Sequence, residues 1–206
     1  MLGLRNIESG DLSDIAKLHL ECLPLTFPPC RYYFNLMKLI YSYYLFYKEA
    51  ICWVATMESN IVGYVCLLKC SEKLYVSAFK NCPVPFCYNA IMLLLRFPSY
   101  FLKGLPRVLR TLSLSNSYKQ SSAPDSDLRQ EHYELRPIVV RNDKQGSSIA
   151  VRLISCGESS LLKGGENKYF LQVRKDNNRA IAFYIKMGFR TVRDAGIRLV
   201  MVKDLK

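Results

Sequence analysis

The stretch from Lys168 to Val192 constrains this chain most. It opens with a short apolar run, Lys168 to Val173, that reads as a strand. Asp176 and Asn177 follow, residue types that cap helices by accepting a hydrogen bond from an early backbone N–H. Between Asn177 and Met187, the residues Ala180, Ile181, Phe183, Tyr184 and Met187 recur at helical spacing and form one apolar face. Gly188 ends the helix, because the unwinding turn needs a residue that tolerates the left-handed region. Phe189 to Val192 is a second strand. Such a unit buries its apolar faces only against further layers, so a mixed α/β sandwich is expected.

The remaining elements supply those layers. Leu2 to Ile7 reads as a strand. Asp11 or Ser13 offers a cap for a helix carrying Ile15, Leu18, His19 and Cys22 at helical spacing. Pro24, Pro28 and Pro29 interrupt the chain, and Arg31 to Tyr47 is a second helix crowded with Tyr and Phe. Ile51 to Thr56 and Ile61 to Lys69 are β-rich runs separated by Glu58-Ser59-Asn60, a hairpin pattern. Glu131 to Val140 is a strand, Arg141 to Gln145 a polar loop, and Gly146 to Leu162 a helix stopped by Gly164-Gly165. Ile149, Leu153, Ile154 and Leu161 mark that helix's buried face. After the turn Asp194-Ala195-Gly196, Ile197 to Lys203 is the last strand. The predicted order is β-α-α-β-β, an insertion, then β-α-β-α-β-β. At 206 residues this suits one domain, 1–206, with residues 72–127 inserted.

The insertion differs in kind. No Asp or Glu occurs from Lys73 to Pro124, against seven basic residues: Lys73, Lys80, Arg96, Lys103, Arg107, Arg110 and Lys119. Apolar runs, Ala90 to Leu95 and Phe101 to Leu114, fill the gaps, and Ser115 to Asp127 is a polar loop. This pattern predicts an amphipathic helical cover with a solvated basic face. A basic amphipathic helix at a membrane surface is the other reading.

Composition excludes several classes. The net charge of +12 favours anionic partners. No nucleic-acid recognition motif is present. The eight cysteines form no CxxC pair and the two histidines, His19 and His132, lie far apart, so no metal site is expected. No uncharged apolar run reaches membrane-span length; the nearest, Asn81 to Leu95, contains Pro83 and Pro85. The N-terminus lacks a secretory apolar region, and a cytoplasmic location with reduced thiols is expected.

Two constellations carry chemistry. The junction Val139-Val140-Arg141-Asn142-Asp143-Lys144-Gln145-Gly146-Ser147-Ser148-Ile149-Ala150 places small residues at a helix start, where unpaired N–H groups and the helix dipole attract anions. The second is Leu171 to Phe189. It closely resembles the second motif of the GCN5-related N-acetyltransferase (GNAT) family, L-x-V-x-x-x-N-x-x-A-I-x-F-Y-x-K-x-G-F, at Leu171, Val173, Asn177, Ala180, Ile181, Phe183, Tyr184, Lys186, Gly188 and Phe189. The junction resembles the family's acetyl-CoA motif, V-x-x-x-x-[QR]-x-x-G-x-[GA], but carries Ser148 where glycine is usual. A long basic insertion before that motif resembles a bacterial subset of the family.

The resemblance implies a mostly antiparallel mixed sheet flanked by helices, with one parallel strand pair that splays near Val140 and Val173. It implies acetyl-CoA as co-substrate. Ile138, Val139 and Val140 would pair with the pantetheine arm, Gln145, Gly146, Ser147, Ser148, Ile149 and Ala150 would hold the pyrophosphate, and Asn177 would bond the arm or the nearby backbone. Backbone N–H groups near Val140 would stabilise the oxyanion. Tyr184 would be the acid for the departing thiolate. Glu134 is the first choice of base and His132 the second; period-two geometry puts both on one strand face. Pro137 cannot donate a ladder hydrogen bond, so it fits an edge, a bulge or a splayed point; the resemblance implies a bulge on this strand. The acceptor implied is a small primary amine. An anionic amino sugar or sugar nucleotide would suit Arg96, Lys103, Arg107 and Arg110. A non-catalytic acyl-CoA-binding or membrane-surface protein of the same fold is the competing class, and a homodimer stays open.

Overall fold

The computed structural model of the protein describes residues 2–23, 28–69, 83–99, 128 and 131–206. Its elements follow the predicted order. They are β1 (Leu2–Asn6), a 3-10 turn (Ser9–Asp11), α1 (Leu12–Cys22), α2 (Arg31–Phe46), β2 (Ala50–Met57), β3 (Asn60–Leu68) and α3 (Pro83–Arg96), then β4 (Tyr133–Val140), a second 3-10 turn (Asn142–Lys144), α4 (Ile149–Lys163), β5 (Lys168–Arg174), α5 (Asn178–Lys186), β6 (Arg190–Asp194) and β7 (Arg198–Asp204). The described strands form one seven-stranded sheet in the order β1-β2-β3-β4-β5-β7-β6. Every neighbouring pair is antiparallel except β4 and β5, which run parallel.

Two apolar layers sandwich the sheet. On one face Ile149, Leu153, Ile154 and Leu161 of α4 pack with Val62, Val65, Leu67 and Leu171, and α5 adds Ala180, Ile181, Phe183 and Tyr184. On the other, Leu12, Ile15 and Leu18 of α1 and Tyr41 and Tyr44 of α2 cover Val54, Tyr64, Cys66 and Val139. Strand alternation explains the division, since successive side chains point to opposite faces. The N-terminal strand is tied down by Arg5, whose guanidinium donates to both carboxylate oxygens of Asp11 at 2.6 and 2.7 Å.

Several boundaries differ from the sequence reading, each for a local reason. β4 begins at Tyr133 rather than Glu131, because the His132 N–H donates to the Leu128 carbonyl in a turn. α4 begins at Ile149 rather than Gly146. Gly146 has φ of +84°, which no right-handed helix accommodates, and Ser148, expected to be helical, is the flanking residue ahead of the first turn. The β2–β3 turn is tight, with Glu58 and Ser59 both at positive φ. α3 rests on α2 through buried Leu93. Its outward face is apolar, with Val84, Tyr88, Ile91 and Leu95 exposed. Of the seven basic residues, Arg96 is described and exposed; Lys73, Lys80, Lys103, Arg107, Arg110 and Lys119 lie outside the described residues, as does the Ser115–Asp127 loop apart from neighbouring Leu128. No described helix is long and apolar enough to cross a membrane.

Candidate active site

The site originates in a fault in the sheet. β4 and β5 pair only at Tyr133↔Tyr169 and Glu134↔Phe170, yet the strands continue to Val140 and Arg174. Beyond Glu134 they separate. The cause sits on β4. Opposite it, Val65 pairs with Ile138 and Leu67 with Leu135, so Arg136 and Pro137 together face the single residue Cys66. That is a β-bulge, and Pro137 stands in it as expected, because a bulge tolerates a residue without an N–H.

The bulge also inverts side-chain parity. Before it, Tyr133 and Leu135 face the α4 layer; after it, Ile138 and Val140 do, while Val139 turns to the α1/α2 layer. Glu134 therefore shares the face of Val139. Backbone groups follow the same logic. The Arg141 N–H donates to the Val62 carbonyl at 2.9 Å, so alternation turns the N–H and C=O of Ile138 and Val140 toward the opened edge.

The resulting cleft, about 1130 Å³, is lined from both faces of the sheet. From the α4/α5 side come Lys144, Gln145, Gly146, Ser147, Ala150, Val151, Asn177, Arg179, Ala180, Phe183, Tyr184 and Lys186. From the α1/α2 side come His19, Leu23, Tyr33, Met37, Ile40, Tyr41 and Tyr44. Glu134, Arg136, Pro137, Ile138 and Val140 form the β4 margin. The slot thus passes through the sheet.

On the α4/α5 side the loop before α4 is held by its own hydrogen bonds. Ser147 Oγ donates to the Lys144 carbonyl at 2.6 Å, and Gln145 Nε2 donates to Asn142 Oδ1 at 2.8 Å. Arg179 of α5 reaches across and donates to Gln145 Oε1 at 2.9 Å, bridging the mouth of the cleft. The N-terminus of α4 and the exposed loop create an anion-attracting end. Space around Gly146 is open, with no atom within 4 Å of where a Cβ would stand. Asn177 caps α5 by accepting the Ala180 N–H at 3.1 Å, which leaves its amide N–H groups as the part able to face the cleft. Tyr184 packs between Phe183 and Phe189, and burial pushes its hydroxyl up to about 12.

On the β4 margin, Glu134 is buried, 3% exposed. Arg136 Nε lies 2.9 Å from Glu134 Oε2, at an angle short of a hydrogen bond. His132 is placed elsewhere. It is absent from the cleft lining and its Nδ1 lies 4.0 Å from Glu166 Oε2, so the structure does not bring it together with Glu134 at the slot. Val139, Ser148 and Ile149 also stand outside the lining; Val139 and Ile149 are core residues on opposite faces.

One group escaped the sequence reading. His19 Nδ1, Tyr41 Oη and Tyr64 Oη form a triangle with sides of 2.7 Å (His19–Tyr41), 2.7 Å (Tyr41–Tyr64) and 3.2 Å (His19–Tyr64). Burial lowers the His19 pKa and raises those of both phenols. Only the helical spacing of His19 was visible in the sequence, and that spacing marks a core position equally well.

Residues 106–189 match the profile of the Acetyltransferase (GNAT) family. Among solved structures, the chain is similar to PaiA N-acetyltransferase from Thermoplasma acidophilum in complex with coenzyme A, with a TM-score of 0.59, 14% identity and 99% of each chain covered. It is similar to a ribosomal-protein-alanine N-acetyltransferase from Escherichia coli, with a TM-score of 0.57 and 14% identity over 100% of this chain and 95% of that one. An N-acetyltransferase from Staphylococcus aureus Mu50 is similar at a TM-score of 0.60 and 12% identity over 100% and 99% of the two chains. At these identities the structural likeness concerns the fold. No curated protein matches the chain in sequence.

Proposed function

We propose that this chain, which belongs to the acetyltransferase (GNAT) family and is an acyltransferase, takes acetyl-CoA as co-substrate and transfers the acetyl group to a primary amine by direct attack. The splay of β4 from β5 carries this reading. It exposes the Ile138 and Val140 backbone edge as a place for an extended amide-bearing arm, and it ends at a helix start suited to a pyrophosphate.

In this reading the amides from Gln145 to Ala150 hold the pyrophosphate, and Gln145, steadied by Arg179, closes over it. Ser148 places its hydroxyl at the same helix start, where it can donate to phosphate. Ile138 and Val140 pair with the pantetheine amides, and Asn177 adds an amide donor. The Ile138 N–H, on this edge at the end nearer Glu134, faces the thioester carbonyl and stabilises the oxyanion. Glu134 takes the proton released by the ammonium of the acceptor, directly or through water. The amine nitrogen then forms the new C–N bond, the C–S bond breaks, and sulfur leaves as thiolate. Tyr184 meets that thiolate. A thiol titrates near ~8.5, so a phenol held at about 12 serves chiefly as a hydrogen-bond donor to the departing sulfur. His132, set against Glu166, has less support as the base than Glu134.

The test is thiol release from acetyl-CoA with an amine panel. Glu134→Gln is expected to lower kcat about 10²-fold or more, the usual worth of a positioned base, and Tyr184→Phe about ten- to a hundredfold, the worth of a hydrogen bond to a charged group. Unchanged turnover in both variants would sink the residue assignment. Calorimetry showing no affinity for acetyl-CoA at millimolar concentration would sink the co-substrate.

A further inference from the structure

We infer that the acceptor is a small primary amine carried on an uncharged apolar or aromatic body, held on the α1/α2 side of the slot with Glu134 at its amine end and Tyr41 and Ile40 against its body. The inference rests on the transferase reading above and narrows its acceptor.

Three observations point this way. First, the α1/α2 side is lined by Leu23, Met37, Ile40 and tyrosine rings, with His19 among them. Second, the cation beside Glu134 is already committed. Glu134 and Arg136 stand 2.9 Å apart, and burial of His19 favours its neutral form. A phosphate brought here would leave water without an uncommitted cation to receive it, which is costly. An ammonium instead finds Glu134 Oε2, buried and without a hydrogen-bond partner among the described residues. Of the other described cations of the cleft, Lys144, Arg179 and Lys186 stand before α4 and on α5; Arg174 and Arg198, a cross-strand pair, share Glu134's face of the sheet but stand exposed at the outer ends of β5 and β7, four residues past Glu134's partner Phe170.

Third, the Tyr41 hydroxyl on this wall is occupied. Two hydroxyl protons and one imidazole nitrogen share the His19–Tyr41–Tyr64 triangle. Tyr64 donating to Tyr41, and Tyr41 donating to His19 Nδ1, uses both protons along the two shortest sides. If Nδ1 carried a proton instead, three donors would share two oxygens and one proton would go without a partner inside the triangle. Around Tyr41 the wall therefore presents ring faces and aliphatic carbons, with the Nε2–H of His19 as the donor left over. A polyhydroxylated sugar would lose hydration with few partners to replace it.

The experiment measures kcat/KM for coenzyme A release with 2-phenylethylamine, hexylamine, glucosamine, glucosamine 1-phosphate and a short peptide with a free alanine amine. We expect the two apolar amines to exceed each of the others by about tenfold or more, the discrimination that mismatched polar groups give a pocket. Ile40→Arg should raise KM for 2-phenylethylamine about tenfold, by burying a charge on the wall, while leaving coenzyme A affinity by calorimetry unchanged. Leu23→Arg, on the same wall, replaces it if melting shows Ile40→Arg unfolded. Turnover preferring the sugars or the peptide overturns this inference and leaves the transferase reading standing. Coenzyme A binding without turnover of any amine overturns both.

Discussion

The two sides of the slot are built by different means. On the α4/α5 side the helix lies close on the sheet because glycines remove side chains at the contact. A Cβ at Gly63 would stand 2.9 Å from the Val139 carbonyl and 3.2 Å from Leu153 Cδ1; one at Gly157 would stand 2.6 Å from Leu67 Cδ1. That close approach sets where the first turn of α4, and hence its N–H groups, lies beside β4. The α1/α2 side is held apart by large rings and steadied by the buried hydroxyl–imidazole triangle. Backbone presented by tight packing suits a ligand shared by many enzymes. A wall of side chains suits a ligand particular to one. Cofactor affinity and acceptor choice should therefore be separable by mutation.

The strongest test of that separation is Gly63→Val. Overpacking at this contact should cost about 2–3 kcal/mol of stability in urea unfolding, and it should weaken coenzyme A binding by displacing the start of α4. A change below about 0.5 kcal/mol, the scale of ordinary surface substitutions, would show that the contact is not tight. Next in size is Tyr41→Phe, which strips one hydroxyl from the triangle and should cost about 1–2 kcal/mol. Coenzyme A affinity should hold. Combined with Tyr64→Phe, the loss should fall short of the sum of the single losses, because both variants break the same hydrogen bond.

Smaller still is Arg179→Ala on the cofactor side. The Arg179–Gln145 contact is exposed, and its loss should weaken coenzyme A by only about two- to fivefold, in keeping with the modest worth of surface contacts, with the acceptor KM unmoved. The pH dependence is the finest probe. His19 titrates below its ordinary value because burial disfavours the cation. The unfolded chain therefore takes up this proton first, and the native state loses stability as pH falls below ~6.5, the ordinary imidazole value. His19→Gln should flatten that part of the stability profile. A profile identical to that of the parent chain would remove His19 as its source.

Much of the fold was legible because its signals are local. The cap at Asn177 and the apolar spacing from Ala180 to Met187 act within a few residues, and the helix forms where they place it. Pro137 was legible as an edge, a bulge or a splayed point because its ring leaves no N–H for the ladder, and the register across β3 makes it a bulge. The start of α4 was misplaced because a helical apolar pattern says nothing of the φ of +84° at Gly146 that delays it. The pairing of His132 with Glu134 assumed a regular strand reaching residue 132, where the chain instead turns. The His19 triangle was out of reach, since its partners lie 22 and 45 residues away on other elements.

By itself, then, the sequence determined the element order, the cap and stop of α5 and the family resemblance carried by Leu171 to Phe189. Each follows from backbone preferences and short-range spacing. Tertiary structure alone decided that β4 and β5 part after a two-residue bridge, that Glu134 shares a face with α1 and α2, and that His19 joins Tyr41 and Tyr64 on the α1/α2 side of the slot. Those outcomes depend on which faces the bulge exchanges and which distant side chains meet across the sheet, and no local periodicity encodes them.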